Sequence, residues 1–167
     1  MNPLHQNVSR ESILIDWRNM EQYSSIPIGY RLVDQAIVIP GKEAFGRKAV
    51  SSLDWFFKVH FPGNPIMPGV FIMEVMQQTG MLIVTTMRES KTDILLFHSC
   101  ESVRMYRGVR PGDMLSSHVV LESFRHGVAK FNGKVTICDT EKGEEKTVCT
   151  MKFVLISEKD IEKIHRA

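Results

Sequence analysis

The nearly continuous apolar segment at residues 70–87 constrains the fold of this chain more than any other feature. Its apolar side chains cover most of the circumference of a helix, and a proline suits the first helical turn, so a helix is predicted from Pro68 to about Glu89. A helix that is apolar nearly all round must be wrapped by other structure. The remaining chain therefore has to supply a sheet large enough to surround it.

Patterns of β-branched and apolar residues predict that sheet. Residues 32–39 and 43–50 are expected to form a hairpin around the turn Pro40-Gly41. Strands are also predicted after the helix, at residues 93–100, 103–109, 115–124, 128–138 and 146–156. The order indicates an α+β domain in which an antiparallel sheet curls around one long helix.

The chain divides into three predicted parts. Residues 1–25 form an N-terminal extension in which Ile13, Trp17 and Met20, spaced i, i+4 and i+7, predict a short amphipathic helix. Residues 26–157 form the main domain, and residues 158–167 form a C-terminal tail.

Composition narrows the class of protein. The chain has 167 residues, 43% of them hydrophobic and 24% charged, which is typical of one soluble globular domain. A formal net charge of +2 gives no reason to expect nucleic-acid binding, and Glu74 and Gln78 argue against a membrane span in the apolar segment. Three cysteines in no zinc pattern, with no signal peptide in view, predict reduced thiols and a cytoplasmic location.

Glu74 is the first candidate catalytic residue. A carboxyl group in a buried helix must find a partner or raise its pKa and become neutral. Gln78 lies one helical turn further on, where its amide can hold the carboxyl group in one orientation. A structural glutamate is the alternative, but this placement favours a proton donor.

His60 is the second candidate. It precedes Phe61-Pro-Gly-Asn-Pro65, whose two prolines and glycine restrict the backbone and deliver the imidazole to the start of the helix. No HxxxH or HxxE companion accompanies His60, so no metal site is predicted. A histidine and a carboxyl group around an apolar site suit acid–base catalysis.

Two further groups could bind a substrate. The backbone N–H groups of Gly69 and Val70 open the helix and can polarise a thioester carbonyl, although a Pro-Gly helix entry is also common without function. Arg104, Arg107 and Arg110 form a basic cluster that is either a solvated surface or a docking site for an acidic carrier.

The stretch from His60 to Gly80, HFPGNPIMPGVFIMEVMQQTG, resembles the signature of the β-hydroxyacyl-acyl-carrier-protein dehydratases of the FabZ type. The similarity extends over about residues 27–156. Further matches include Leu32-Val-Asp34, Pro111-Gly-Asp113 and the segment 127–134.

The resemblance implies the hotdog fold, a homodimer with a hexamer left open, and an acyl carrier protein that delivers the substrate. It places His60 and Glu74 at the catalytic positions, contributed by different subunits. It also places Gly69 and Val70 at the carbonyl-binding position and Gln78 where the acid is oriented. No metal, nucleotide or flavin is expected.

This chain also departs from the family pattern. Val59 replaces a usual glycine, Asn64 a frequent histidine, Ser99 a glycine and Gly108 a proline, and the His-Arg pair near the first strand is missing. None of these changes removes a catalytic group, so a divergent member is predicted. Two alternatives stay open: a hotdog thioesterase, and a non-catalytic subunit that pairs with another hotdog chain.

Overall fold

The computed structural model describes residues 12–87, 94–138 and 143–164. Within these residues the chain forms seven strands and two α-helices. The elements are β1 Ile13–Ile15, β2 Gln35–Ile39, β3 Glu43–Ala49, α1 Gly69–Thr85, β4 Leu95–Met105, β5 Met114–Arg125, β6 Val128–Cys138, β7 Glu145–Ser157 and α2 Glu158–Ile164. Short 3-10 helices lie at Met20–Gln22, Ile28–Tyr30 and Trp55–Lys58.

The described strands form one antiparallel sheet in the order β1-β2-β3-β5-β6-β7-β4. The predicted hairpin between β2 and β3 is present, and Gly41 adopts the positive φ of 71° that its turn requires. Helix α1 contacts strands β2 to β7. A curled sheet around one long helix is the hotdog fold, so the predicted fold class is confirmed.

Helix α1 is covered unevenly along its length. Residues 78–85 are all buried, and Gly80 lets the helix approach the stacked rings of Phe131 and Phe153, whose centroids lie 5.0 Å apart. In the first half, Val70 is 64% exposed and Glu74 is half-buried. The sheet of one chain therefore surrounds the second half of α1 and leaves part of the first half open.

The amphipathic helix predicted through Ile13, Trp17 and Met20 is wrong. Ile13–Ile15 instead forms β1, which pairs with β2, and Met20 lies in a 3-10 turn. The free edge of β2 offers a ladder of hydrogen bonds, whereas a short isolated helix is marginal in water. Trp17 is 82% exposed, which the helical pattern did not anticipate. Residues 1–11 lie outside the described residues, and the boundaries at 25 and 157 stay predictions.

The two strands predicted at 93–100 and 103–109 are also corrected. They are one strand, β4, whose pairing with β7 shifts register between Phe97 and Ser99 and between Cys100 and Ser102. These bulges accommodate the polar residues that suggested a break, so the strand continues past them. Strands β5, β6 and β7 agree with the prediction to within one residue at every end. Helix α1 ends at Thr85 and the next two residues form a turn, so it is shorter than the predicted helix to about Glu89. The loop residues 139–142 lie outside the described residues.

The C-terminal tail contains α2, and its Asp160 packs against Gly127 in the β5–β6 turn. Among the described residues, no helix is both long and apolar enough to cross a membrane.

Candidate active site

The backbone around His60 is held by local hydrogen bonds. The His60 N–H donates to the Phe56 carbonyl at 3.0 Å, and the Ile66 N–H donates to the His60 carbonyl at 3.2 Å. Between them, Phe61 and Asn64 exchange two backbone hydrogen bonds, at 3.3 and 2.9 Å. Gly63 takes a positive φ of 75° within this turn. The prolines and glycine of the sequence thus form a tight turn that carries the imidazole.

The imidazole of His60 is oriented by its own loop. Its Nδ1 lies 2.8 Å from the Ile66 carbonyl oxygen. A carbonyl oxygen can only accept a hydrogen bond, so Nδ1 carries a proton, and in the neutral ring Nε2 is the nitrogen with the free lone pair. The half-buried ring also contacts the Phe61 ring, with centroids 3.8 Å apart. This arrangement leaves Nε2 as a proton acceptor.

Glu74 is held by Gln78 inside α1. The Gln78 Nε2 group donates to Glu74 Oε1 at 3.0 Å and to the Tyr30 carbonyl at 3.0 Å. The Gln78 Oε1 atom accepts the Leu32 N–H at 2.8 Å. These three bonds fix the orientation of the amide, so its NH₂ group must face Glu74.

The surroundings of Glu74 favour its protonated form. Burial raises the pKa of the Glu74 carboxyl group, and the hydrogen bond from Gln78 lowers it by a smaller amount. The pKa of Tyr30 is raised as well, first by burial and then by the nearby negative charge of Glu74. A carboxyl group with a raised pKa keeps its proton to higher pH, which suits a general acid.

A cleft of about 140 Å³ opens beside Glu74. Apart from Glu74, Gln77 and Gln78, its lining is apolar and comes from four separate segments: Ile26, Met81, Leu95, Leu96, Phe97 and Leu155. A polar end and apolar walls suit a substrate with a reacting group and a hydrocarbon chain. His60 is not among the described residues that line this cleft.

The start of α1 provides unpaired donors. The Pro68 carbonyl accepts the N–H groups of Phe71 at 3.0 Å and Ile72 at 3.4 Å. The N–H groups of Gly69 and Val70 have no hydrogen-bond partner among the described residues. They therefore stay available for a carbonyl oxygen at the positive end of the helix. A Cβ at Gly69 would lie 3.3 Å from Met105 Cε, so the end of β4 packs against this helix start.

The three arginines of the predicted basic cluster differ in their contacts. Arg104 is exposed on β4 opposite Thr150. Arg107 Nε donates to the Thr147 carbonyl at 2.9 Å. Arg110 Nη1 donates to Asn64 Oδ1 at 2.9 Å and to the Pro65 carbonyl at 3.3 Å, which places it against the turn that carries His60.

Sequence reasoning missed several residues of this site. Tyr30, the apolar lining of the cleft and the contact between Arg110 and Asn64 all depend on pairing between distant segments. Arg110 did stand out as a basic residue beside a Pro-Gly turn, but nothing local showed which way its side chain would turn. Among the described residues, no group of three or more histidine, cysteine, aspartate and glutamate side chains could hold a metal ion.

Comparison with known proteins agrees with this fold. A FabA-like domain matches residues 29–150 of the chain. In the solved structures, an uncharacterized protein from Pyrococcus horikoshii shares the fold at a TM-score of 0.57 and 17% identity, over 84% of this chain and 95% of that one. The class defined so far is therefore a FabA-like domain of hotdog fold.

Two curated relatives narrow this class. The one from Chloroflexus aggregans is 41% identical over 111 residues, which cover 66% of this chain and 77% of the relative. The one from Acetivibrio thermocellus is 37% identical over 141 residues, which cover 83% of this chain and 94% of the relative. Both are named 3-hydroxyacyl-[acyl-carrier-protein] dehydratase FabZ. The chain belongs to this family of FabZ-type dehydratases.

Proposed function

We propose that this chain dehydrates β-hydroxyacyl thioesters of acyl carrier protein to trans-2-enoyl thioesters, in fatty-acid or polyketide-like biosynthesis. The observation that carries the proposal is Glu74, a carboxyl group with a raised pKa at the polar end of an apolar cleft. The names of the relatives point to the same reaction.

The reaction assigns one step to each group. His60 Nε2 removes a proton from the α-carbon, since its Nδ1 is already committed to Ile66. The N–H groups of Gly69 and Val70 bind the thioester oxygen, where negative charge develops. Glu74 donates its proton to the β-hydroxyl group as the C–O bond breaks, and water leaves. His60 then holds an extra proton and Glu74 lacks one, so both exchange with solvent before the next turnover.

Thioester hydrolysis is the competing reaction in the same cleft. It would need the Glu74 carboxylate as a general base that activates water, whereas dehydration uses the protonated form, which burial favours. Gln78 also holds the acid in a fixed orientation instead of leaving it to solvent. These features favour dehydration.

The active form proposed is a homodimer, with assembly of dimers into a hexamer left as a prediction. Within the described residues, β4 pairs with β7 alone, and its other edge carries Leu96, Phe97, Val103 and Met105, all at least 40% exposed. Residues of β4 also line the cleft beside Glu74. His60 of the same chain is not among the described residues that line this cleft. A second copy on this edge would cover the apolar side chains and supply His60.

The carrier is proposed to dock on Arg104, Arg107 and Arg110. These cations lie near the end of β4 that packs on Gly69, where a carrier-borne thioester has to enter. A surface of this charge suits an acidic carrier. Removing Arg104 should therefore raise KM for carrier-bound substrate, increasingly so at low salt. Cytoplasmic location stays a prediction from the sequence.

The function is tested by incubating the purified protein with 3-hydroxyacyl- and enoyl-carrier thioesters of several chain lengths and following products by mass spectrometry. Loss or gain of one water on the intact thioester is the expected result. Release of free acid would identify a thioesterase. Turnover that needs a second hotdog chain would identify a partner subunit. Dehydration of the 3-hydroxyacyl thioester and hydration of the enoyl thioester are both measured, so activity is detected whichever direction the equilibrium favours.

A further inference from the structure

Arg110 links the turn at residues 61–65, next to His60, to another segment of the described chain. Residues 61–65 are all exposed, and their backbone hydrogen bonds run within the turn. Among the described residues, the hydrogen bonds that tie this turn to another segment come from Arg110, which contacts Asn64 and Pro65. Just beyond the turn, the Met67 N–H donates to the Val109 carbonyl at 2.9 Å. The connection between β4 and β5 therefore supports the catalytic turn.

The backbone of Arg110 is held in place by hydrogen bonds of its own turn. Its backbone N–H donates to Asp113 Oδ2 at 2.8 Å, and the Asp113 N–H donates to the Arg110 carbonyl at 3.1 Å. The same turn is bonded to Val50 after β3 in both directions, by the Gly112 N–H at 2.9 Å and the Val50 N–H at 3.0 Å. A guanidinium group anchored in this way can hold its acceptors in place.

The position of these acceptors connects Arg110 to the imidazole. The Pro65 carbonyl that Arg110 contacts directly precedes Ile66, whose carbonyl fixes His60 Nδ1. Movement of the 65–66 peptide would loosen the hydrogen bond that sets the tautomer and the direction of Nε2. A small displacement of a catalytic group is expensive, because proton transfer requires close and aligned atoms.

We propose that Arg110 is a positioning residue for His60, acting through Asn64 and Pro65, in addition to any contact with the carrier. The proposal rests on the proposed dehydratase function. Arg110 does not touch the reacting atoms; it keeps the 61–66 segment in the conformation in which Ile66 holds the imidazole.

The test compares Arg110→Ala and Arg110→Lys with the native enzyme on two substrates: a carrier-bound 3-hydroxyacyl thioester and a short N-acetylcysteamine thioester that has no carrier. Positioning predicts a fall in kcat of about three- to tenfold on both substrates, the rate equivalent of one hydrogen bond, with KM for the short thioester little changed. The lysine variant keeps the charge but lacks the planar fork, so it should restore carrier KM without restoring kcat.

A second kinetic test asks whether Arg110 and Asn64 affect kcat through the same contact. Asn64→Ala alone should lower kcat less than Arg110→Ala, because Pro65 still accepts from the arginine. The double variant Asn64→Ala/Arg110→Ala should have the same kcat as Arg110→Ala, since both changes remove the same contact. Arg125→Ala is the control for charge: Arg125 is exposed at the far end of β5, beside Val128, and its loss should leave kcat and KM unchanged.

A third test does not depend on turnover and observes the His60 imidazole directly. Nitrogen-15 NMR of labelled histidine should show His60 as the Nδ1–H tautomer in the native protein and a mixed or faster-exchanging state in Arg110→Ala. A kcat on the short thioester within twofold of native, with an unchanged His60 tautomer, would overturn the proposal and leave Arg110 as a docking residue. If the native enzyme turns over neither substrate, the proposed function fails, and the NMR comparison still decides whether Arg110 braces His60.

Discussion

At the scale of single residues, the proposed mechanism assigns opposite proton transfers to His60 and Glu74. The Ile66 carbonyl commits one nitrogen of His60 as a donor and leaves the other as a base. Burial of Glu74 favours the form that still carries its proton. A histidine with one nitrogen free and a carboxyl group with a raised pKa suit paired base and acid catalysis.

Replacing His60 with alanine removes the base and one hydrogen bond within a half-buried loop. We expect kcat to fall by about a hundredfold or more, which is the range supplied by general acid–base catalysis. The melting temperature should change by only a few degrees, measured by circular dichroism. A loss of activity below about tenfold would remove His60 from the proposed mechanism.

Replacing Glu74 with glutamine keeps the shape of the side chain but removes the proton donor. Turnover should fall by a similar factor, about a hundredfold or more. Gln78 can still donate to the new amide oxygen, so the packing of α1 is retained. Assays of both variants on the same thioester, with mass readout, compare the two losses directly.

The stability of Glu74→Gln relative to the native protein should also depend on pH. The raised pKa of Glu74 means that its contribution to stability is complete below about pH 4 and is lost as pH rises through the folded-state value. Glutamine does not titrate. The free energy of unfolding of Glu74→Gln, relative to native, should therefore improve between pH 4 and pH 7 in urea denaturation. A variant destabilised at pH 7 by about 3 kcal/mol or more would show that Glu74 is mainly structural.

Both catalytic candidates could be predicted from the sequence because their signals are local: a Pro-Gly turn after His60 and an acid within an apolar helix for Glu74. The contacts that tune them could not. Leu32 and Gln78, like Asn64 and Arg110, are 46 residues apart, and only the folded chain brings each pair together. The amino-acid types were visible, but their pairing was a property of the tertiary structure.

At the scale of elements, the contact between α1 and β3 sets the position of the helix that carries Glu74. A Cβ at Gly46 would lie 2.4 Å from Thr79 Oγ1 and 3.2 Å from Thr79 Cγ2. Thr79 is fully buried, and its hydroxyl group donates to the Val75 carbonyl at 2.7 Å. The absence of a side chain at Gly46 therefore determines how closely the helix approaches the sheet.

Gly46→Ala should destabilise the protein by about 1–3 kcal/mol, the usual cost of overpacking a core. Thr79→Ala removes the two closest atoms, so the double variant should be less destabilised than the sum of the single variants. Urea denaturation of all four proteins measures this coupling. Strict additivity would show that the crowding at Gly46 is relieved elsewhere.

Element type was predictable wherever the pattern was long. Helix α1 and strands β5 to β7 have many residues that agree with one periodicity, whereas three residues with helical spacing gave a helix at the position of β1. That segment had too few apolar residues to stabilise a helix alone, and an open strand edge was available to it. Tertiary pairing decided its conformation.

At the scale of the whole molecule, the exposed edge of β4 predicts a second copy. Val103→Lys places a charge where Val103 is 44% exposed on that edge and should shift the protein to a monomer with little activity. Val120→Lys is the matched control, because Val120 is 39% exposed on β5, which already pairs with β3 and β6. Light scattering of both variants measures the association. A fully active monomer in either case would contradict a site that needs two chains.

The need to cover α1 could be predicted from its all-round apolar pattern, but the edge proposed to add cover from a second copy could not. Sequence reasoning divided β4 into two strands and therefore gave no single continuous edge. The strand continues through its register shifts between Phe97 and Ser99 and between Cys100 and Ser102, and that continuity is what makes it a dimerisation surface in our proposal.

Mixing two inactive variants tests the shared site most directly. Chains carrying His60→Ala and chains carrying Glu74→Gln are combined and allowed to exchange, with exchange confirmed by mass spectrometry of differently tagged chains. A heterodimer then has one intact site and one doubly damaged site. Statistical mixing makes half of the dimers mixed, so activity should recover to roughly a quarter of native. No recovery despite complete exchange would place His60 and Glu74 of each site on the same chain and contradict the proposed dimeric dehydratase.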